Sequence, residues 1–166
     1  MITIRNVSAT DVTAVTRIYN EYIQKTAITF EELPVSVAEM QQRIDAVSTL
    51  SLPWLVLHND DDVIGYAYAA PWKTRSAYRF TAEVTIYLAP DMHGNGYGKL
   101  LYEALFKQLC STEIRSCISV ITLPNAASVA LHEKMGMQKV AHFAQVGFKF
   151  GEWLDVGYWQ IQLPKK

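Results

Sequence analysis

Cysteine is nearly absent. The 166-residue chain has two, Cys110 and Cys117, and no Cys-x-x-Cys pair. Two thiols cannot build a disulfide framework, so the fold must rest on a hydrophobic core, for which the length is ample. Both read as reduced core residues, Cys110 on a helix and Cys117 on a strand, which points to a cytoplasmic compartment. An excess of either charge is also missing: 15 Lys and Arg stand against 16 Asp and Glu, with no basic block and no acidic tail. Nucleic acid is therefore not an expected partner. No apolar run reaches the roughly 18 residues of a membrane span, and Met1-Ile2-Thr3-Ile4-Arg5 lacks signal-peptide anatomy. Repeats, linkers and low-complexity stretches are absent, so residues 1–166 read as one domain. Nor is there a metal motif. Asn59-Asp60-Asp61-Asp62 lacks the alternating ligands and terminal Glu of a calcium loop and reads as a solvated turn.

What is present is periodicity. Ile2–Asn6 alternates like a strand. Ser8–Asp11 offers N-caps for a helix carrying Val12, Val15, Ile18, Tyr19 and Tyr22 on one face. Thr26–Pro34 breaks the pattern, and Phe30 within it is either a roof over a small-molecule site or a plug over the core. A second helix opens near Ser36, with Val37, Met40, Ile44 and Val47 as its buried stripe. Residues 54–58 and 63–69 form a hairpin around the acidic turn. Pro71–Arg79 is an irregular connector with Trp72, Lys73, Arg75, Tyr78 and Arg79, suited to an anionic small molecule or to plain surface charge. A strand over 116–121, a helix over 126–135 stopped by Gly136, and strands near 139–146 and 153–163 follow, with 147–151 as a loop. Strand and helix alternate without strict βαβ order, which predicts an α/β chain with a mixed sheet and helices on both faces.

Glycine is sparse, eight in all, yet three alternate within Gly94-Asn95-Gly96-Tyr97-Gly98-Lys99. The β-branched segment Thr81–Leu88 precedes them, and an amphipathic helix with Leu100, Leu101, Leu105, Phe106 and Leu109 follows. Strand, glycine turn and helix N-terminus together make an anion cradle: main-chain N–H groups crowd round the anion and the helix dipole assists. A P-loop would need Ser or Thr after Gly98-Lys99, and Leu100 stands there. A dinucleotide fingerprint would need Gly-x-Gly-x-x-Gly and an acidic residue ending the next strand, and Glu113 precedes that strand.

The third candidate is coenzyme A. His93-Gly94-Asn95-Gly96-Tyr97-Gly98 resembles the Gln/Arg-x-x-Gly-x-Gly/Ala pyrophosphate loop of the Gcn5-related N-acetyltransferase (GNAT) superfamily, with His93 in place of Gln or Arg. Asn125-Ala126-Ala127-Ser128 through His132-Glu133-Lys134-Met135-Gly136-Met137 resembles that superfamily's second half-site. Pro71-Trp72-Lys73, the run from Tyr78 to Glu83, Leu123-Pro124-Asn125 and Gly147–Gln160 resemble the phosphinothricin and methionine sulfoximine acetyltransferase branch, so the likeness covers nearly the whole chain. It implies the GNAT fold, a single-domain, mixed and mostly antiparallel sheet of six or seven strands with helices on both faces. It also implies acetyl-CoA as cosubstrate, no metal, and transfer to a small amino-acid amine by direct attack in a ternary complex. A protein N-terminal or lysine acetyltransferase and a non-catalytic acyl-CoA-binding module are the alternatives.

Site residues follow from the resemblance. Ile86, Tyr87 and Leu88 would pair with pantetheine like an added strand. His93, Gly94, Asn95, Gly96, Tyr97, Gly98 and Lys99 would take the pyrophosphate, although Lys99 also fits an ordinary first-turn lysine. Asn125 and Ser128 would meet the pantetheine arm, with Asn125 equally an N-cap. An ammonium cannot attack, so a base is needed. Glu83, a carboxylate in an otherwise apolar strand, is the candidate, or else a structural partner of Arg75 or Arg79. His132 stands where the superfamily commonly has Tyr, and is proton donor to sulfur, base, or a structural residue. Phe30, Trp72, Arg75, Ser76, Ala77, Tyr78, Arg79 and Val120 form the expected acceptor pocket, with Arg75 or Arg79 as carboxylate clamp. The aromatic tail (Phe143, Phe148, Phe150, Trp153, Tyr158, Trp159) predicts a homodimer.

Overall fold

Periodic segments become regular elements in the computed structural model, which describes residues 1–60 and 62–164. In chain order these are β1 (Ile2–Asn6), α1 (Val12–Lys25), α2 (Val37–Thr49), β2 (Trp54–Asn59), β3 (Asp62–Pro71), β4 (Thr81–Leu88), α3 (Tyr97–Leu109), β5 (Ser116–Leu123), α4 (Ala126–Lys134), β6 (Gln138–Lys149) and β7 (Glu152–Gln162). Local chemistry sets their ends. The Ser36 side chain accepts from Glu39 N–H at 3.1 Å and starts α2. Asn125 Oδ1 accepts from Ser128 N–H at 3.1 Å and starts α4. Gly136, at φ +86°, turns the chain out of α4. Asp61 of the acidic turn lies outside the described residues.

The seven strands form one sheet in the order β1-β2-β3-β4-β5-β7-β6. Every neighbouring pair is antiparallel except β4 and β5. Side chains alternate between the two faces, so one sheet feeds two cores. On one face Leu55, Leu57, Ala67, Val84 and Trp159 pack with Leu101, Leu105 and Leu109 of α3. On the other, Trp54, Val56 and Tyr66 pack with Val15, Ile18 and Ile23 of α1 and Met40 and Ile44 of α2. Helices thus cover both faces.

Four expectations need correction. Val37 is 43% exposed and Leu100 is 42% exposed, so neither belongs to its helix's buried stripe; each lies at the edge of the apolar face. Residues 147–149 continue β6, and the turn shrinks to Phe150-Gly151, both at positive φ. Trp159 is buried at 1% and its indole N–H donates to Glu133 at 3.3 Å, so it serves the core and not an outer surface. Cys110 caps α3 from just beyond its end; both cysteines are free and only Cys117 is buried.

Candidate active site

The parallel pair is where the sheet fails to close. β4 and β5 share three rungs, Thr81 with Ser116, Ala82 with Cys117 and Glu83 with Ile118. Beyond them the strands part while each keeps its outer neighbour, β4 pairing with β3 as far as Leu88 and β5 with β7 as far as Leu123. The facing edges of residues 84–88 and 119–123 therefore lack ladder partners from one another, and an unpaired strand edge is a template for an added strand. Ser119 Oγ reaches across the gap to Val84 O at 3.2 Å. A throat follows the gap between Val84, Thr85, Ser119, Val120 and His132. It shares Ile28, Ile86, Tyr87, Asn125 and Ser128 with a cleft of about 330 Å3 that runs to the glycine turn.

The glycine turn forms the far wall of the cleft. Gly94 and Gly96 both sit at φ +79° with open space where a Cβ would project, so backbone conformation demands glycine there and the surface stays bare. Gly98 differs: a Cβ would lie 2.9 Å from Leu131 Cδ2, so this glycine lets α3 approach α4. Leu100 N–H is bonded to Gly96 O at 3.3 Å, the first turn of α3, which leaves the amides of Tyr97, Gly98 and Lys99 without intrahelical acceptors. Those amides, the helix dipole, Lys99 and Lys134 give the cleft what a pyrophosphate requires. Lys99 also pairs with Glu103 at 3.4 Å. His93 has a scaffold contact: its Nε2 lies 2.8 Å from Tyr22 Oη, which donates to Leu88 O at 2.6 Å, tying the turn to α1 and to the end of β4. The Asn95 amide folds back onto Met92 O and His93 O at 3.3 and 3.2 Å. Asn125 spends Oδ1 on the cap and lines the cleft.

Glu83 stands on the last rung before the strands part, on the face shared with Thr85 and Tyr87. Burial raises its carboxyl above the ordinary 4.5, and the charge of Lys73 pulls the other way. Among the described residues neither Arg75 nor Arg79 forms an ion pair with it; the cationic influence on its carboxyl comes from Lys73. His132 is buried at 2%. Its Nδ1–H donates to Ser128 O at 2.7 Å, which leaves Nε2 as an acceptor. Tyr102 Oη and Ser119 Oγ each lie 2.7 Å from Nε2. One lone pair cannot take two hydroxyls, and the pattern that satisfies both has Tyr102 donating to Nε2 and Ser119 to Val84 O. Burial lowers the His132 pKa, so the ring stays neutral.

Next along β5 lies a trough of about 560 Å3 lined by Trp72, Lys73, Tyr78, Ile118, Tyr158 and Gln160, among others. Trp72 and Tyr78 meet edge to face at 5.3 Å, and Lys73 Nζ lies 5.1 Å from the Trp72 ring. Arg75 opens onto a neighbouring depression with Lys73 and Tyr78. Ser76 and Ala77 form a short 3-10 turn with Tyr78, and Arg79 folds back on it, Nη1 donating to Ser76 O at 3.1 Å and the guanidinium lying 4.2 Å from the Phe80 ring. Val120 lines the throat, whereas Phe30 rests against Gly147 of β6, away from cleft, throat and trough. Ile28, Ser119, Tyr102, Gln160 and Lys134 line these spaces without an individual signal in the sequence. Lys73 and Tyr158 also line the trough, the first expected in a cationic loop and the second in an aromatic surface run.

Comparison with known proteins agrees with this fold. Residues 4–157 match the acetyltransferase (GNAT) domain family. The phosphinothricin N-acetyltransferase of Streptomyces viridochromogenes is 39% identical over 97% of this chain and 88% of its own length. The L-methionine sulfoximine/L-methionine sulfone acetyltransferase of Pseudomonas paraeruginosa is 32% identical over 96% of this chain and 94% of its own. A crystal structure of a GNAT superfamily phosphinothricin acetyltransferase from Sinorhizobium meliloti, in complex with acetyl-CoA, superimposes with a TM-score of 0.94 at 37% identity, over 98% of this chain and 88% of that one. The chain belongs to the GNAT acetyltransferase family.

Proposed function

We propose that this protein transfers an acetyl group from acetyl-CoA to the amine of a small amino acid or amino-acid analogue of the phosphinothricin or methionine sulfoximine type. The observation that carries this reading is the parted β4–β5 pair, with an anion cradle along the cleft on one side and a half-buried carboxylate, Glu83, at the fork. Acetyl-CoA supplies the thioester acetyl group. The open edge of Ile86, Tyr87 and Leu88 receives the pantetheine arm, together with Asn125 and Ser128. Gly94, Gly96, Gly98, Tyr97 and Lys99 hold the pyrophosphate, and His93 keeps their turn in place.

Glu83 takes a proton from the incoming ammonium, directly or through water. Its raised pKa makes it a stronger base than an exposed carboxylate. His132, neutral and unprotonated at Nε2, is suited to receive a proton or to orient the Tyr102 and Ser119 hydroxyls, not to give one up. The trough takes the acceptor. Lys73, with Arg75 beside it, meets the acceptor carboxylate, and Trp72, Tyr78 and Val120 bound the rest. The residues lining the trough include no Asp or Glu, which favours a small anionic acceptor over a basic peptide. The exposed apolar residues Phe143, Val146, Phe148, Phe150 and Trp153 form a homodimer surface, and a cytoplasmic setting suits two free cysteines.

The test is acetyl-CoA-dependent thiol release with L-methionine sulfoximine, phosphinothricin and the common amino acids, beside a lysine-containing peptide. Turnover with one of the small acceptors is expected. Folded protein that binds acetyl-CoA yet releases no thiol with any amino-acid acceptor would refute the reading.

A further inference from the structure

Lys149 ends β6 and is 2% exposed. Along this stretch the side chains alternate: Val146 and Phe148 face outward, more than half exposed, while Gly147 and Lys149 face inward. Lys149 Nζ donates to Ile23 O at 2.8 Å, Thr29 O at 2.8 Å and Glu31 O at 2.7 Å, carbonyls 118 to 126 positions away in sequence. An ammonium has three N–H groups, and here each has its own acceptor. The acceptors belong to the last turn of α1 and to the irregular segment leading to α2. Two positions earlier on the same inward face, Gly147 leaves the space that the Phe30 ring fills: a Cβ would lie 2.2 Å from it. The end of β6 is thus a seat for the segment between α1 and α2.

Other pins act on the same segment. Asn20 bonds both N–H and C=O of Val35 at 2.9 Å. Arg43 grips Glu31 with two bonds of 2.9 and 2.6 Å, and Tyr19 Oη donates to Glu31. The segment carries Ile28, which lines both the cleft and the throat and whose carbonyl accepts from Thr122 Oγ1 at 3.4 Å. Ile28 has no regular hydrogen-bonding element of its own to hold it there.

We propose that Lys149 is a positioning residue for acetyl transfer: by collecting three carbonyls it fixes the α1–α2 segment, and with it Ile28, where cleft and throat join. The activity part rests on the acetyltransferase reading above; the structural part does not. Lys149→Met keeps an apolar stem and removes every donor. Lys149→Arg keeps the charge but offers a planar fork to carbonyls gathered round one nitrogen.

Both variants should speed amide hydrogen exchange across residues 24–33 by about tenfold or more while leaving the amides of β3 and β4 unchanged. Lys149→Met should raise the KM for acetyl-CoA by about tenfold, and Lys149→Arg by less, with the acceptor KM altered less than about threefold. If Lys149→Met does not fold, Lys149→Arg decides on both readouts. Wild-type exchange in the segment, or a KM for acetyl-CoA within about twofold of wild type, overturns the proposal. Global unfolding of both variants also overturns it, since Lys149 would then serve folding alone. A wild-type protein inactive toward every amino-acid acceptor would sink the assigned function while exchange still judged the role of Lys149.

Discussion

At the scale of a single residue, the proposed chemistry rests on Glu83. Its carboxylate sits half-buried at the fork of two strands, where burial raises its pKa and Lys73 restrains the rise. Replacing it by Gln preserves shape and removes the base that the proposed mechanism requires. Glu83→Gln should lower kcat by about a hundredfold or more, with acetyl-CoA affinity nearly unchanged by calorimetry. The acid limb of the wild-type kcat/KM profile, which rises with pH as Glu83 ionises, should disappear in the variant. Stability should move the opposite way. A folded carboxyl raised above 4.5 disfavours its charged form, so the cost is absent below the unfolded value and complete above the folded one. Glu83→Gln should therefore melt higher than wild type at pH 7.5, with the gap closing by about pH 4. A gap that ignores pH would show that packing, not charge, separates the two proteins.

At the scale of the element, the turn into α3 uses its glycines for two different ends. Gly96 is held at φ +79° facing open space, and Gly98 is pressed against Leu131. Alanine should separate these uses. Gly96→Ala forces a Cβ into a left-handed conformation, costing about 1–2 kcal/mol, and projects a methyl into the cleft. It should weaken acetyl-CoA binding about tenfold or more. Gly98→Ala pushes Leu131 aside and overpacks the α3–α4 contact, costing about 1–3 kcal/mol. It should register first in urea denaturation. Equal losses of stability and affinity in the two variants would contradict this division. His93 belongs to the same element: where the superfamily's loop commonly has Gln or Arg, its contact with Tyr22 ties the turn to α1.

The whole molecule divides at the fork. One half, β1 to β4, is covered by α1, α2 and α3. The other, β5, β7 and β6, carries α4 on one face and extends an apolar hairpin outward. Val146, Phe148, Phe150 and Trp153 are each more than half exposed there, and the Phe148 and Trp153 rings meet at a tilt with centroids 5.0 Å apart. A contiguous apolar surface of this kind is uncommon on a monomer. Sedimentation should find a dimer for the wild-type chain and a monomer for the Phe148→Asp, Trp153→Ser double variant. A monomeric wild type would remove the interface.

The sequence alone determined where elements lie and where the glycine turn meets a helix N-terminus, because those features are written locally. Hydrophobic period, a Ser36 cap, a Gly136 stop and alternating glycines each depend on neighbours within a few residues. Period locates a face better than its margins, which is why Val37 and Leu100 proved exposed. Residue types also marked Glu83, Asn125 and His132. Only the tertiary structure decided that β4 and β5 part after Glu83, that Lys73 is the cation acting on it, that Phe30 sits on Gly147 and that Lys149 gathers three distant carbonyls. The reason is physical: strand register and the path of an irregular segment are set by contacts between residues far apart in the chain, and no local pattern encodes them.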